Sequence, residues 1–261
     1  MYLSSTLCWD NGVDEVIALA AHLGFSGVEV WAEQVWQHGT DESSIAAARA
    51  RYQQELTLHA ASWDLNLCAL NESVRQQSLR EIERSMDLAR RIGAPNVTVH
   101  PGHYTLPQLS ELQWTWLIDS LTKLANCAEQ LQVTLSIEMM EPTAKEFVTT
   151  PEMVNQLLSA LPPSVTTTFD VAHVPLKVNC LASFKRLNRV SKIHFSDSSS
   201  ERYHVPLGKG ALPMDVLFPF LQTVDVPVVL EGFDLSATHE ILQQDLEFIK
   251  QMGTAARGML L

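Results

Sequence analysis

Eight short apolar runs, each followed by a segment of helical periodicity, fill this chain from end to end, and no other feature restricts its fold as strongly. The runs are Leu3–Cys8, Gly27–Trp31, Leu56–Ser62, Asn96–His100, Val133–Glu138, Val165–Asp170, Val190–Phe195 and Val226–Glu231. Strands that alternate with helices form a parallel sheet with right-handed crossovers. Eight such units in 261 residues match the size of a closed barrel. The predicted architecture is therefore α/β, a single (β/α)8 barrel over residues 1–261, since no linker or change of composition divides the chain. An open doubly wound sheet is the alternative, but no Gly-x-Gly-x-x-Gly turn follows the first run.

The segment after the third run shows the helical signal well. Leu79, Ile82, Met86 and Ala89 recur at spacings of three and four and so share one face. Ser73 followed by Gln76 reads as a capping box, and Gly93 then Pro95 mark the stop. Val13–Leu23 and Leu117–Leu131 repeat the pattern. Trp31–Gln37 reads three ways: a lid, a subunit contact of a homo-oligomer, or a helical turn packed on the barrel.

The polar residues at the C-terminal ends of the runs carry the functional information, because barrel active sites form on that face. The third run holds His59, and the fourth ends in His100-Pro101-Gly102-His103. The fifth ends in Glu138, the sixth in Asp170-Val171-Ala172-His173, the seventh in His194-Phe195-Ser196-Asp197 and the eighth in Glu231-Gly232. Any one of these has a plain structural explanation as a cap or a satisfied core residue. Together they need pairing or a metal to offset desolvation, and few Lys or Arg stand beside them. Glu, Asp and His together suit Mn²⁺, Mg²⁺, Co²⁺ or Zn²⁺.

Composition narrows the partners. The formal charge is −12, whereas proteins that grip a nucleic-acid backbone normally present a basic surface. A small molecule is the expected partner and nucleic acid is not. No run approaches the ~20 apolar residues of a membrane span. Cys8, Cys68, Cys127 and Cys180 lie far apart with no Cys-x-x-Cys pair, which fits a reducing cytoplasm.

Phe169-Asp170-x-x-His173, His194-Phe195-Ser196-Asp197-Ser198 and Gly208-Lys209-Gly210 resemble motifs of the xylose-isomerase-like TIM barrels. That superfamily contains sugar and sugar-phosphate isomerases and epimerases and the zinc-dependent apurinic/apyrimidinic endonucleases. Similarity to the epimerase branch implies one divalent metal held by Glu138, Asp170, His194 and Glu231, with His173 facing the substrate. Similarity to the endonuclease branch implies further zinc ligands at His59, His100, His173 and His204. One ligand of that branch is absent: Arg202 stands where an Asp is expected, two residues before His204.

The leading expectation is a metal-dependent sugar or sugar-phosphate isomerase or epimerase working through an enediolate, with Glu138 and Glu231 as the acid/base pair. Trp9, Trp31 and Trp63 are candidates to pack on the sugar, and Arg202 and Lys209 to hold a phosphate or carboxylate. A multi-zinc phosphodiester hydrolase is the alternative, and a non-catalytic barrel that only binds a ligand is the third reading.

Overall fold

The structure, a computed structural model, describes residues 1–258. The strands are β1 (Tyr2–Ser4), β2 (Gly27–Trp31), β3 (Glu55–His59), β4 (Asn96–Val99), β5 (Thr134–Glu138), β6 (Thr166–Asp170), β7 (Val190–Phe195) and β8 (Val228–Leu230). Each pairs in parallel with the next, and Tyr2↔Val229 and Leu3↔Leu230 join β1 to β8, so the sheet closes on itself. Around it lie α1 (Val13–His22), α2 (Ala32–His38), α3 (Glu42–Tyr52), α4 (Glu72–Ile92), α5 (Ser110–Leu131), α6 (Pro151–Ser159), α7 (Cys180–Arg186), α8 (Met214–Leu221) and α9 (Glu240–Gly258). The eightfold barrel expected from the alternating runs is the fold. No helix of the described residues is long and apolar enough to cross a membrane.

Three local features differ from expectation or decide between readings. The first run leaves the sheet at Ser4, and Ser5–Cys8 wind into a 3₁₀ turn. The hydroxyls of Ser4 and Thr6 bond to one another at 2.7 Å, and Thr6 Oγ1 donates to the carbonyl of Gly232, so local hydroxyl bonds draw the chain out of the ladder. Helix α4 starts earlier than the Ser73 box implies. Its cap is Asn71, whose side-chain oxygen accepts from Ser73 N at 2.9 Å and Val74 N at 3.4 Å. The Trp31–Gln37 segment is mostly α2, a packed helix in which buried Gln34 donates to the carbonyls of Cys8 and Asn11.

Successive strand residues face opposite sides, and here the two sides differ in chemistry. Val28 and Val30, Leu56 and Leu58, Val97 and Val99, Leu135 and Ile137, and Ile193 and Phe195 belong to the hydrophobic core. The alternate positions are polar and buried: Glu29, Thr57, Thr98, Ser136, Thr168 and Lys192. These fill the barrel interior, where hydroxyls from separate strands meet. Thr168 Oγ1 lies 2.9 Å from Thr98 Oγ1 and 2.8 Å from Ser136 Oγ. One step further along the same strand faces stand His59, Glu138, Asp170 and His194. A polar filling thus leads upward into a polar mouth.

The loop after β7 is held from below by two buried aspartates. Asp197 accepts from the backbone N–H groups of Ser198, Gly208, Gly210 and Leu212 at 2.7–3.1 Å. Its own backbone exchanges two hydrogen bonds with Val205, at 2.9 and 3.1 Å, which sets the position of His204. This explains the glycines of the Gly-Lys-Gly motif. Gly208 has φ +75°, and a Cβ on Gly210 would collide with the Asp197 carboxylate. Asp245 on α9 accepts from Leu207 N at 2.7 Å. Burial, and then the charge of Asp197, push Asp245 up to about 7.

Asp197→Ala strands four N–H donors, and the expected loss is about 3 kcal/mol in urea unfolding. Asp245 supplies a separate test. Its folded pKa lies above the unfolded value of about 3.9, so its contribution is complete below that value and is lost as pH rises through about 7. Asp245→Asn keeps an acceptor for Leu207. It should therefore flatten the fall in stability between about pH 4 and 7 relative to wild type, measured by urea unfolding across that range.

Candidate metal centre

The mouth of the barrel brings together the strand-end residues singled out in the sequence. Glu138 ends β5, Asp170 ends β6, His194 lies on β7 and Glu231 follows β8. Each offers a ligand atom within 4.8 Å of the others, and all four are buried. His194 Nδ1 lies 3.2 Å from Glu138 Oε1 and 3.0 Å from Glu231 Oε2. Glu138 Oε2, Asp170 Oδ2 and Glu231 Oε2 are buried without a hydrogen-bond partner. Orphaned carboxylate oxygens converging in this way are costly unless a cation serves them, and an Asp, a His and two Glu suit a divalent ion.

Two further groups flank this one. His59, His100 and Glu138 form the first. His59 Nε2 and His100 Nε2 stand 3.4 and 3.3 Å from Glu138 Oε2. His59 Nδ1 is 2.8 Å from the carbonyl of Ala60, which fixes the proton there and leaves Nε2 with a free lone pair. Asp170, His173 and His204 form the second. His173 Nδ1 is 2.9 Å from the carbonyl of Met139, to which it donates, and its Nε2 faces His204 Nε2 at 3.0 Å. His204 sits at φ +53°, a left-handed conformation held by the Asp197–Val205 pairing beneath it.

Charge in the cluster is divided unevenly. Burial would raise Glu231, but His194 and then His204 outweigh it and bring it down to about 2. Burial likewise opposes ionisation of Glu138, and the charge of His194 and the close approach of His100 and His59 hold it well below the usual range. Asp170 moves the other way, to about 6, through burial and the charges of Glu231 and Glu138. Burial alone would lower His173, yet Asp170, Glu138 and Glu141 push it up to about 9. The site is thus strongly anionic, with its histidines acting as the internal counter-charge.

A cavity of about 400 Å³ opens above the cluster, reached by Glu138, His173, His204 and Glu231 and walled by Trp31, Trp63, Met140 and Phe233. A larger one, about 830 Å³, lies at the opposite end of the barrel around Tyr2, Phe25 and Phe218, away from this chemistry. Of the three tryptophans, Trp31 and Trp63 line the smaller cavity. Trp31 stacks on His59 with ring centroids 3.8 Å apart. Trp9 is buried behind Trp63 and Phe233, at 5.0 and 5.1 Å, and supports that wall from outside the cavity. Arg202 and Lys209 are exposed and do not line it; Lys209 borders a groove with Glu240 and Gln243.

Four participants escaped the strand-end reading. Glu141, Glu146 and Phe233 line the cavity from loops. Burial, then Glu141, push Glu146 up to about 6. Glu29 lies beneath the cluster, fully buried, where burial opposes its ionisation but Lys192 and then His194 drive its carboxyl far below the ordinary range. The signal for Glu29 was present: it is the one charged residue inside the apolar run Gly27–Trp31.

Comparison with known proteins follows from this geometry. An uncharacterized protein of Methanocaldococcus jannaschii is 28% identical over 162 residues, 62% of this chain and 63% of that protein. The fructoselysine 3-epimerase of Escherichia coli O157:H7 is 24% identical over 211 residues, 75% of each chain. Among solved structures, a D-tagatose 3-epimerase-like protein superimposes with a TM-score of 0.80 at 20% identity, covering 96% of this chain and 98% of that one. The family model for the xylose isomerase-like TIM barrel matches residues 17–252, and this chain belongs to that family.

Proposed function

We propose that the protein is a divalent-metal-dependent sugar epimerase or isomerase that moves a proton next to a carbonyl. The observation that carries this reading is the placement of Glu138 and Glu231. Their carboxylates approach His194 Nδ1 from two different strands, and both open onto the same cavity of about 400 Å³. A substrate carbon lying between them is within reach of a base on one side and an acid on the other, the arrangement needed to invert a centre or shift a carbonyl. Both carboxyls are held below the usual range, so either can take the first proton, and its partner must first draw a proton from solvent to serve as the acid on the opposite face. The ion supplied by solution, Mn²⁺, Mg²⁺, Co²⁺ or Zn²⁺, would stabilise the enediolate charge that proton removal creates.

The remaining residues bind and orient. His173 Nε2 faces the cavity 3.5 Å from Asp170 Oδ2 and Glu141 Oε2, where a sugar hydroxyl can be held. Trp63 and Phe233 present apolar faces suited to the C–H face of a sugar. No Lys or Arg lines the cavity among the described residues. That favours a neutral sugar over a sugar phosphate, and it leaves Arg202 and Lys209 without a part in binding the reacting end. The names of the relatives point the same way, since one acts on fructoselysine and the other is likened to a tagatose 3-epimerase.

A second reading rests on one observation, the two ligand groups that flank the central one and share Glu138 and Asp170 with it. Three ions there would suit phosphodiester hydrolysis. Against it stand the charge of −12 and Arg202 in place of an acidic ligand. A barrel that only binds a ligand would not need all four central ligands, and all four are present.

Two outcomes are expected. Glu231→Gln should lower ketose epimerisation at least 10³-fold, an order-of-magnitude figure for losing an acid/base group that also touches the ion, read by exchange of solvent deuterium into the substrate. Substantial turnover in that variant would remove the assignment. Elemental analysis of protein purified without chelator should find about one divalent ion per chain, and His59→Ala should keep partial activity. Two to three zinc ions per chain, with collapse in His59→Ala, would make the hydrolase the better reading.

A further inference from the structure

The barrel interior beneath the cluster holds a Glu–Lys pair that takes no direct part in the reaction but touches His194. Glu29, Lys192 and His194 are each fully buried, on β2 and β7. The Glu29 carboxylate is bound through Oε2 by Lys192 Nζ, and the same oxygen accepts from Thr57 Oγ1 at 2.9 Å. Its other oxygen, Oε1, stands 2.7 Å from His194 Nε2. That approach is bent away from hydrogen-bond geometry, so it is an ion-pair contact, and neither atom has a hydrogen-bond partner elsewhere.

Burying a Glu–Lys pair in a closed barrel is expensive, and apolar residues of the same volume commonly do as well or better for stability. The pair therefore calls for a role besides filling space. A carboxylate and a bare ring lone pair repel at 2.7 Å, so a proton must occupy His194 Nε2. Nδ1 faces Glu138 and Glu231 at 3.2 and 3.0 Å and hydrogen-bonds Glu138 Oε1, so its proton is the one that an ion held by those carboxylates would displace, with the Nε2 proton kept against Glu29. A carboxylate behind a ligating imidazole fixes its tautomer and ring angle, and loss of such a partner typically costs 10–100-fold in metal affinity.

We propose that Glu29, anchored by Lys192 and Thr57, is a positioning residue that directs Nδ1 of His194 toward a divalent ion. Lys192 keeps the carboxylate in place, so the three residues act as one unit. The proposal rests on the metal-binding half of the reading above and not on the reaction, so failure of the epimerase assignment would leave it standing.

The test uses the Glu29→Leu/Lys192→Met double variant, which replaces the pair by apolar side chains of similar volume. Free Mn²⁺ is measured by its electron paramagnetic resonance signal during titration of the full-length protein. The expected result is a wild-type or higher melting temperature with Mn²⁺ affinity reduced 10–100-fold. In Zn²⁺-loaded wild type, a proton–nitrogen correlation should show a slowly exchanging His194 Nε2–H, and the variant should lose it. Unchanged Mn²⁺ affinity with the Nε2–H signal retained would overturn the proposal and leave the pair a purely structural filling. If the double variant does not fold, Glu29→Gln serves, because its amide keeps the volume and removes the charge facing His194. Mn²⁺ affinity within twofold of wild type in that variant would likewise overturn the proposal.

Discussion

A closed sheet of eight parallel strands has to fill its own centre, and only every second residue of each strand can do so. The interior of such barrels is commonly packed with branched aliphatics. Here it is packed with Glu29, Thr57, Thr98, Ser136, Thr168 and Lys192, all buried. Each of these must find a partner inside the barrel, because water does not reach them. The hydroxyls of Thr98, Ser136 and Thr168 partner one another, while Glu29 partners Lys192 and Thr57. The same alternation, continued by one step, carries Glu138, Asp170 and His194 into the mouth. The apolar face of each strand meanwhile secures the helices. The composition of the mouth thus depends on the spacing of the pleat.

This dependence explains what the sequence displays. A ligand at the end of a strand follows a buried residue two positions earlier, as Ser136 precedes Glu138 and Thr168 precedes Asp170. The apolar runs revealed the barrel and the run ends revealed the four residues that converge at its mouth, because both are set by local order along one strand. Glu29 was visible as a charge within an apolar strand, but its meaning depends on contact with Lys192, 163 residues away. Glu141, Glu146 and Phe233 approach the cavity from loops, where no periodicity marks a residue. Arg202 and Lys209 show the opposite case: they lie in or beside informative motifs, yet neither lines the cavity.

Charge balance in the mouth rests on histidine rather than on Lys or Arg. Asp170 rises to about 6 because burial and the charges of Glu231 and Glu138 outweigh its histidine neighbours, and His173 rises to about 9 because Asp170, Glu138 and Glu141 outweigh its burial. Imidazole can surrender its proton and become a ligand, which a guanidinium cannot. A cluster neutralised by histidines can therefore exchange protons for a metal ion without rearranging its backbone. An arginine in the same place would neutralise the carboxylates permanently and close the site to cations.

The loop after β7 is secured largely through its main chain. Asp197 grips four N–H groups and Asp245 a fifth, so the path from Ser198 to Leu212 is set without help from the side chains at 202 and 209. Such a loop behaves as an interchangeable cassette. Its exposed positions are free to vary in size and charge while His204 stays in register at the barrel mouth. The barrel and the carboxylates at its strand ends need not change when those outer positions do.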